Sequence, residues 1–446
     1  MVIPFGDREA DAESALASRA SSPEWLLEIA REYDRKGYLQ ETASAYEAAI
    51  AAANAAGDHR VTAEALRRLA VVRCRRQDTA AARALCAQSE AVAREAGHDG
   101  LVAEALNTAG GIDLLDERFG EASALFRQAA GIASDPDLLG RIEQNLATVA
   151  STQGDYVEAL DRYQRSLAGF LAAGNEHGCA VAYHNLGVIS IDLRRWVDAD
   201  HYLRRCLQTV QLTGDLHLRG QAVMNHAEAL ISLGRLREAR LAAETATSIF
   251  DELHAPRELA DAYRVLGCVL RHSGELVAAQ TRLRLAVEVA STSRCASSEA
   301  EATRELALVL AALGRGAEAA SLMGEAAAEL ERLRPAGPPA PGLSGEYPAS
   351  VRAWSDLLAV LDPSGEGHAE RLAEGVVEAA RDQGLDDETQ ARVRVAGYLH
   401  RLNPAWVADG TLPWNVRSIL CGLHGGPSTA ESELIRRELE RRRRAA

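Results

Sequence analysis

The sequence predicts an all-α chain, most of it a stack of helix pairs, and three observations predict it. A small residue recurs at Ala30, Ala70, Gly110, Ala147, Gly187, Ala227, Gly267 and Ala307, in steps of 40, 40, 37, 40, 40, 40 and 40 residues. Twelve places after each stands Thr42, Ala82, Ala122, Ala159, Ala199, Ala239, Ala279 or Ala319. The chain is 47% hydrophobic but only 4% aromatic, a composition that suits closely packed helices and disfavours a β-sandwich. A period of about 20–50 residues marks one supersecondary unit stacked many times, each copy touching mainly its neighbours.

Taken in order, residues 1–22 form an N-terminal segment and residues 23–334 form the array. Each unit opens on a helix with apolar residues at i, i+3, i+4 and i+7 around the small position. Gly37, Gly154, Gly234, Gly274 and Gly314 share one turn position between the two helices, where glycine accepts a positive φ at little steric cost. The second helix carries Tyr46, Phe126, Tyr163 or Leu203 four residues after the later small residue. It ends in turn signals such as Gly57–Asp58, Gly97, Gly174–Asn175 and Gly214–Asp215. The 37-residue step predicts a shorter turn round Ser134–Asp135–Pro136–Asp137. Residues 335–350 contain Pro335, Pro338, Pro339, Pro341 and Pro348 and read as a semi-stiff linker. Helical pattern returns over 351–361, 369–383 and 387–401, so residues 351–446 are expected to form a small helical domain.

Composition narrows the function. The net charge of −15 argues against a general nucleic-acid or anionic-membrane surface. No run approaches the length of a membrane span. Residues 1–20 lack the basic and apolar regions of a secretory leader, which predicts a cytoplasmic protein. Seven cysteines are scattered without a C-x-x-C pair and read as reduced thiols, with Cys86 and Cys206 in the core. No phosphate-binding loop, nucleophile elbow, zinc-protease helix or dinucleotide fingerprint is present, and no cofactor is expected.

The pattern Ala30, Tyr33, Gly37, Thr42, Tyr46 and Ala49, repeated in part as Gly110, Ala122, Phe126 and Ala129, resembles the tetratricopeptide repeat in a forty-residue variant. The resemblance covers about eight units over residues 23–333. It implies a right-handed superhelix, an α-solenoid whose first helices line a concave groove. It also implies that the side chain two places before the small residue faces that groove. There stand Glu28, Arg68, Thr108, Asn145, Asn185, Asn225, Val265 and Glu305. Asparagine is a mediocre helix former, so three in register need a reason. An amide offers donor and acceptor together, matching the backbone of an extended peptide. One place earlier stand Arg67, Gln144, His184, Met224, Arg264 and Arg304, and arginines there could grip carboxylates bidentately. The candidate ligand-binding set is therefore Gln144, Asn145, His184, Asn185, Asn225, Arg264 and Arg304. In the alternative, the asparagines bond neighbouring helices and the arginines are a solvated face.

A second resemblance lies past the linker. The run Leu361–Asp362–Pro363–Ser364–Gly365–Glu366–Gly367–His368, with His400 32 residues on, resembles the opening of an HD-GYP or related HD-domain phosphohydrolase. The resemblance implies a metal-binding His–Asp doublet, but the chain has His400–Arg401. A cation there repels a dication and removes an oxygen ligand. His424 is the remaining match to a histidine ligand. The domain is thus expected to be degenerate, with His368, His400 and His424 as the only metal candidates and no catalytic residue.

Together these readings predict a non-enzymatic scaffold or signalling regulator. It would hold an extended protein or peptide segment in the groove, with no direct nucleic-acid or membrane contact. Two alternatives stay open. One is a metal-dependent HD-type phosphodiesterase acting on a nucleotide or cyclic dinucleotide, with the repeats as sensor. The other is a peptide-responsive transcriptional regulator acting through a partner.

Overall fold

A computed structural model of the chain describes residues 22–333, 349–361, 368–383, 385–402, 416–425 and 427–445. The N-terminal segment before Ser22 and the linker residues 335–348 lie outside this set. The described residues form twenty-one helices and no strand. Eight antiparallel pairs come first: α1 (Pro23–Lys36) with α2 (Leu39–Ala56), α3 (His59–Arg75) with α4 (Thr79–Glu95), α5 (Asp99–Leu115) with α6 (Phe119–Ile132), and α7 (Pro136–Thr152) with α8 (Tyr156–Ala173). Then follow α9 (Glu176–Asp192) with α10 (Trp196–Thr213), α11 (Leu216–Ser232) with α12 (Leu236–Glu252), α13 (Pro256–His272) with α14 (Leu276–Thr292), and α15 (Ala296–Ala312) with α16 (Gly316–Arg332). After the pairs come α17 (Ala349–Leu361), α18 (His368–Asp382), α19 (Asp387–Tyr398), α20 (Val416–Leu423) and α21 (Ala430–Ala445). The expected linker thus gives way to helix at Ala349.

The spacing of the sequence becomes packing within each pair. The small residue of the first helix meets the residue sixteen places on, in the second helix. Where the small residue is glycine, a Cβ would collide: at Gly187 it would stand 2.5 Å from Leu203, and at Gly267 it would stand 2.5 Å from Leu283. Tyr46, Cys86, Phe126, Tyr163, Leu203, Ala243, Leu283 and Met323, all at this register, are buried. Such contacts let two backbones approach closely, and the interior tolerates little extra volume.

The turn between the helices of a pair has one conformation throughout the array. Gly37, Gly154, Gly234, Gly274 and Gly314 have φ between 71° and 81° there. In the other three pairs the same left-handed position is held by Gln77 (φ 63°), Glu117 (φ 58°) and Arg194 (φ 55°). Aspartate or asparagine side chains cap several helices that follow a turn: Asp58 accepts from Val61 N, Asp155 from Glu158 N and Asn175 from Gly178 N. The 37-residue step is a short turn, as expected. Helix α6 stops at Ile132, Ala133 is extended, and Asp135 caps α7 with Pro136 in its first turn.

The chain divides into two compact units, Met1–Asp215 and Leu216–Ala446. The first holds α1–α10. Its core follows the repeat, with clusters around Tyr46 and Leu69, around Phe126 and Ile142, and around Leu186 and Ile189. The second holds α11–α21, and one buried cluster runs from Ala227 through Met323 and Trp354 to Leu402 and Ile435. Helix α17 packs on both α15 and α16, with Val351, Ala353, Trp354 and Leu357 fully buried. It stacks as a further first helix would. Helices α18–α21 pack on one another.

All seven cysteines are free. Cys86 and Cys206 are buried as expected, and burial pushes each thiol up to about 12. Among the described residues no helix is long and apolar enough to cross a membrane.

Candidate functional site

The candidate residues sit on the first helices, on the side where the first helices of successive pairs meet. Spacing of one pair brings a side chain near its counterpart on the next first helix. In the first unit, Arg31 on α1 donates to Glu64 on α3 at 2.5 Å, and Arg68 Nε donates to the same oxygen at 3.0 Å. Arg67 on α3 pairs with Glu104 on α5 at 2.6 Å, and Arg141 on α7 reaches Glu104 at 3.5 Å. The face is a run of ion pairs from α1 to the start of α7.

Beyond it the face becomes uncharged. Asn145 Nδ2 on α7 donates to Asn107 Oδ1 on α5 at 3.0 Å, so this asparagine does bond a neighbouring helix. Its Oδ1 makes no hydrogen bond among the described residues. Gln144 and Asn145 are half-buried, as are His184 and Asn185 one pair on. His184 Nδ1 lies 3.4 Å from Asn185 Oδ1, which leaves Asn185 Nδ2 without a hydrogen bond. Burial lowers the His184 pKa against the opposing pull of Asn185, so the ring is neutral near pH 7 and belongs to this uncharged stretch.

In the second unit the candidates are Asn225 on α11, Arg264 on α13 and Arg304 on α15. Asn225 is half-buried. Both arginines are held by carboxylates of the chain itself. Arg264 donates to Glu228 at 2.8 Å. Arg304 spans Glu301 at 3.1 Å, Glu305 at 2.9 Å and Asp356 of α17 at 3.0 Å. Glu305, expected to face the groove, is buried and also accepts from Arg271 at 3.2 Å. Burial pushes its carboxyl up, but Arg304, Arg271 and Arg264 outweigh burial and hold it below the ordinary glutamate value. Val265, at the same register one pair earlier, is fully buried. The acidic partners Glu64, Glu104 and Glu228 were not singled out from the sequence. Their signal was available, since Glu64 and Glu104 repeat at forty residues.

The metal candidates lie in the last helices. His368 begins α18, and its side chain lies outside the described residues. His400 Nδ1 is 2.9 Å from the Gly397 carbonyl, and His424 Nε2 is 3.0 Å from the His400 carbonyl. Among the described residues no group of three histidine, cysteine, aspartate or glutamate side chains is arranged to hold a metal ion.

Comparison with known proteins bears on the array. The family model described as tetratricopeptide repeat matches residues 61–135 and 138–211. The chain carries tetratricopeptide repeats. One solved structure shows the same fold, and two others are similar in part. The first is a signal transduction ATPase with numerous domains with a tetratricopeptide repeat sensor, from Pyrococcus horikoshii. It matches with a TM-score of 0.54 at 14% identity, over 70% of this chain and 47% of that one. The chain thus spans about half of that protein's length. BtubC from P. vanneervenii matches at 0.43 and 22% identity, over 48% of this chain and 91% of that one. Aspartyl phosphate phosphatase F from Bacillus subtilis matches at 0.48 and 15%, over 63% and 73%. Among curated proteins, none matches the sequence.

Proposed function

We propose that this protein is a non-enzymatic scaffold or regulator whose tetratricopeptide repeats hold an extended segment of a partner protein. In the first unit the segment lies over Gln144, Asn145, His184 and Asn185. In the second unit Asn225, with Arg264 and Arg304, offers further contacts. The observation that carries the proposal is the half-spent amides: Asn145 uses its Nδ2 on Asn107 and keeps Oδ1, while Asn185 uses its Oδ1 and keeps Nδ2. One acceptor and one donor, a repeat apart and held by neighbours, match the N–H and C=O of an extended main chain. Their half-buried setting strengthens such bonds relative to bonds in water. The Pyrococcus horikoshii relative, whose repeats are described as a sensor, fits the same use.

The C-terminal helices α18–α21 are proposed to be a non-catalytic contact or output module. The sequence supports that assignment, because Arg401 stands where the resemblance calls for a metal-bridging carboxylate.

The test is selection of peptides from a randomised phage library by the full-length protein, followed by affinities for Asn145→Ala/Asn185→Ala. The expected result is a set of extended binders whose affinity falls at least about tenfold in the double variant, with helical circular dichroism unchanged. No enriched peptide, or equal affinity in the variant, overturns the proposal.

A further inference from the structure

Each first helix meets its neighbours at two further places of the repeat, six residues before the small residue and one after it. At the earlier place Glu64 accepts from Arg31 on α1, and Glu104 accepts from Arg67 on α3. At the later place Glu228 accepts from Arg264 on α13. Side chains at both places therefore lie on the face where first helices meet. Seven of the eight first helices carry a charged residue or a glutamine at the earlier place, so an aliphatic residue there is a departure from the array. Helix α9 makes that departure: it carries Val181 at the earlier place and Val188 at the later one, both half-buried. From Gly178 to Ile191 it has no aspartate, glutamate, lysine or arginine, and burial keeps His184 within that run neutral near pH 7. The charges on α1–α7 are matched among themselves. Arg31 and Arg68 meet Glu28 and Glu64, and Arg67 and Arg141 meet Glu104 and Asp137.

Resting on the peptide-binding reading above, we propose that α9 selects an uncharged, apolar stretch of the partner segment, and that Val181 and Val188 set this specificity. The two valines stand seven residues apart, about 10 Å along the helix and on one side of it. Asn185 lies between them in the chain. A segment whose main chain is held at Asn185 crosses α9 between the valines. Successive side chains of an extended segment project to opposite sides, so one falls toward Val181 and the next toward Val188. Two consecutive apolar residues fit those places. A charged residue there loses hydration and finds no countercharge on α9. With the neighbouring charges already matched, binding neutralises no net charge, and affinity is nearly independent of salt.

The array itself supplies substitutions that the fold accepts, since glutamate holds the earlier place at Glu64 and Glu104 and the later one at Glu228. Val181→Glu and Val188→Glu in the full-length chain are titrated with peptides enriched by the wild type, and with copies carrying lysine at each of the two apolar positions in turn. Each variant should bind the parent peptide about tenfold more weakly, with its helical circular dichroism unchanged. Lysine at one position should restore binding to Val181→Glu, and lysine at the adjacent position should restore it to Val188→Glu. Wild-type affinity for the parent peptide should change less than about twofold between about 50 mM and about 500 mM NaCl. Enriched peptides with charged residues at both positions, a wild-type affinity that falls about tenfold over that salt range, or glutamate variants that bind the parent peptide as tightly as wild type overturn this assignment. Each of those results leaves the peptide-binding reading standing if Asn145→Ala/Asn185→Ala still weakens the same peptides. A library that yields no binder removes both.

Discussion

Gly110 and Phe126 fill one space. A Cβ built on Gly110 would stand 2.6 Å from Cε1 of the Phe126 ring, closer than two carbon atoms can come. The residue pair is one instance of a contact that recurs through the array, and it decides how near α5 and α6 can lie.

Gly110→Ala should therefore destabilise the protein. Alanine gains about 1 kcal/mol of helix propensity over glycine, but overpacking against a buried ring costs about 1–3 kcal/mol. A net loss of up to about 2 kcal/mol is expected, read from urea unfolding, and Phe126→Leu in the same chain should return part of it. A Gly110→Ala protein at least as stable as wild type would show that α6 can shift.

Gln77, Glu117 and Arg194 hold the left-handed turn position that glycine fills in the other pairs. The conformation costs a non-glycine residue roughly 1–2 kcal/mol, while glycine loses about 0.4–1 kcal/mol through unfolded-state freedom. Glu117→Gly is expected to raise stability by about 0.5–1 kcal/mol, and Gly154→Ala to lower it by about 1 kcal/mol. Paired thermal melts of the two variants check both signs.

Glu305 links α13 and α15 through Arg271 and Arg304. Replacing it with glutamine leaves those arginines short of a buried countercharge and should cost about 3–5 kcal/mol. The pH dependence follows from the direction of its shift. Its folded-state pKa is depressed, so its contribution is complete above the unfolded value and disappears as pH falls through the folded one. Stability of the wild type should thus drop on the acid side of about pH 4.3. Glu305→Gln should show a shallower acid slope in chemical denaturation run across that range.

The repeat was legible because one geometric demand, a small residue under a large one, recurs at fixed spacing and leaves a mark in sequence. The turns were legible only where glycine stands. Gln77, Glu117 and Arg194 adopt the same backbone without the residue that announces it. The site was legible as a register and less so as chemistry. Asn145 was read as facing a ligand, with a bond to a neighbouring helix as the alternative; that bond is present, and its partner Asn107 lies 38 residues back, off the forty-residue step, because the short turn at 133–135 intervenes. Arg264 and Arg304 looked like ligand-facing cations, yet Glu228, Glu301 and Glu305 stand at spacings that already bind them. The proline-rich stretch hid the stacking of α17, since nothing in its composition says that Trp354 returns to the core of the array.

The step from one small residue to the next has a consequence for how such a chain grows. Excising residues 228–267 would splice Ala227 to Cys268 in the same helical phase, and the fused helix would then meet Leu283 where it had met Ala243. The 37-residue step behaves alike, since its shortening falls at the end of α6 and in the turn before Pro136, not inside a first helix. Each such stretch is a cassette whose two cut ends fit each other, so duplication or loss of coding sequence can lengthen or shorten the stack without inventing a new junction.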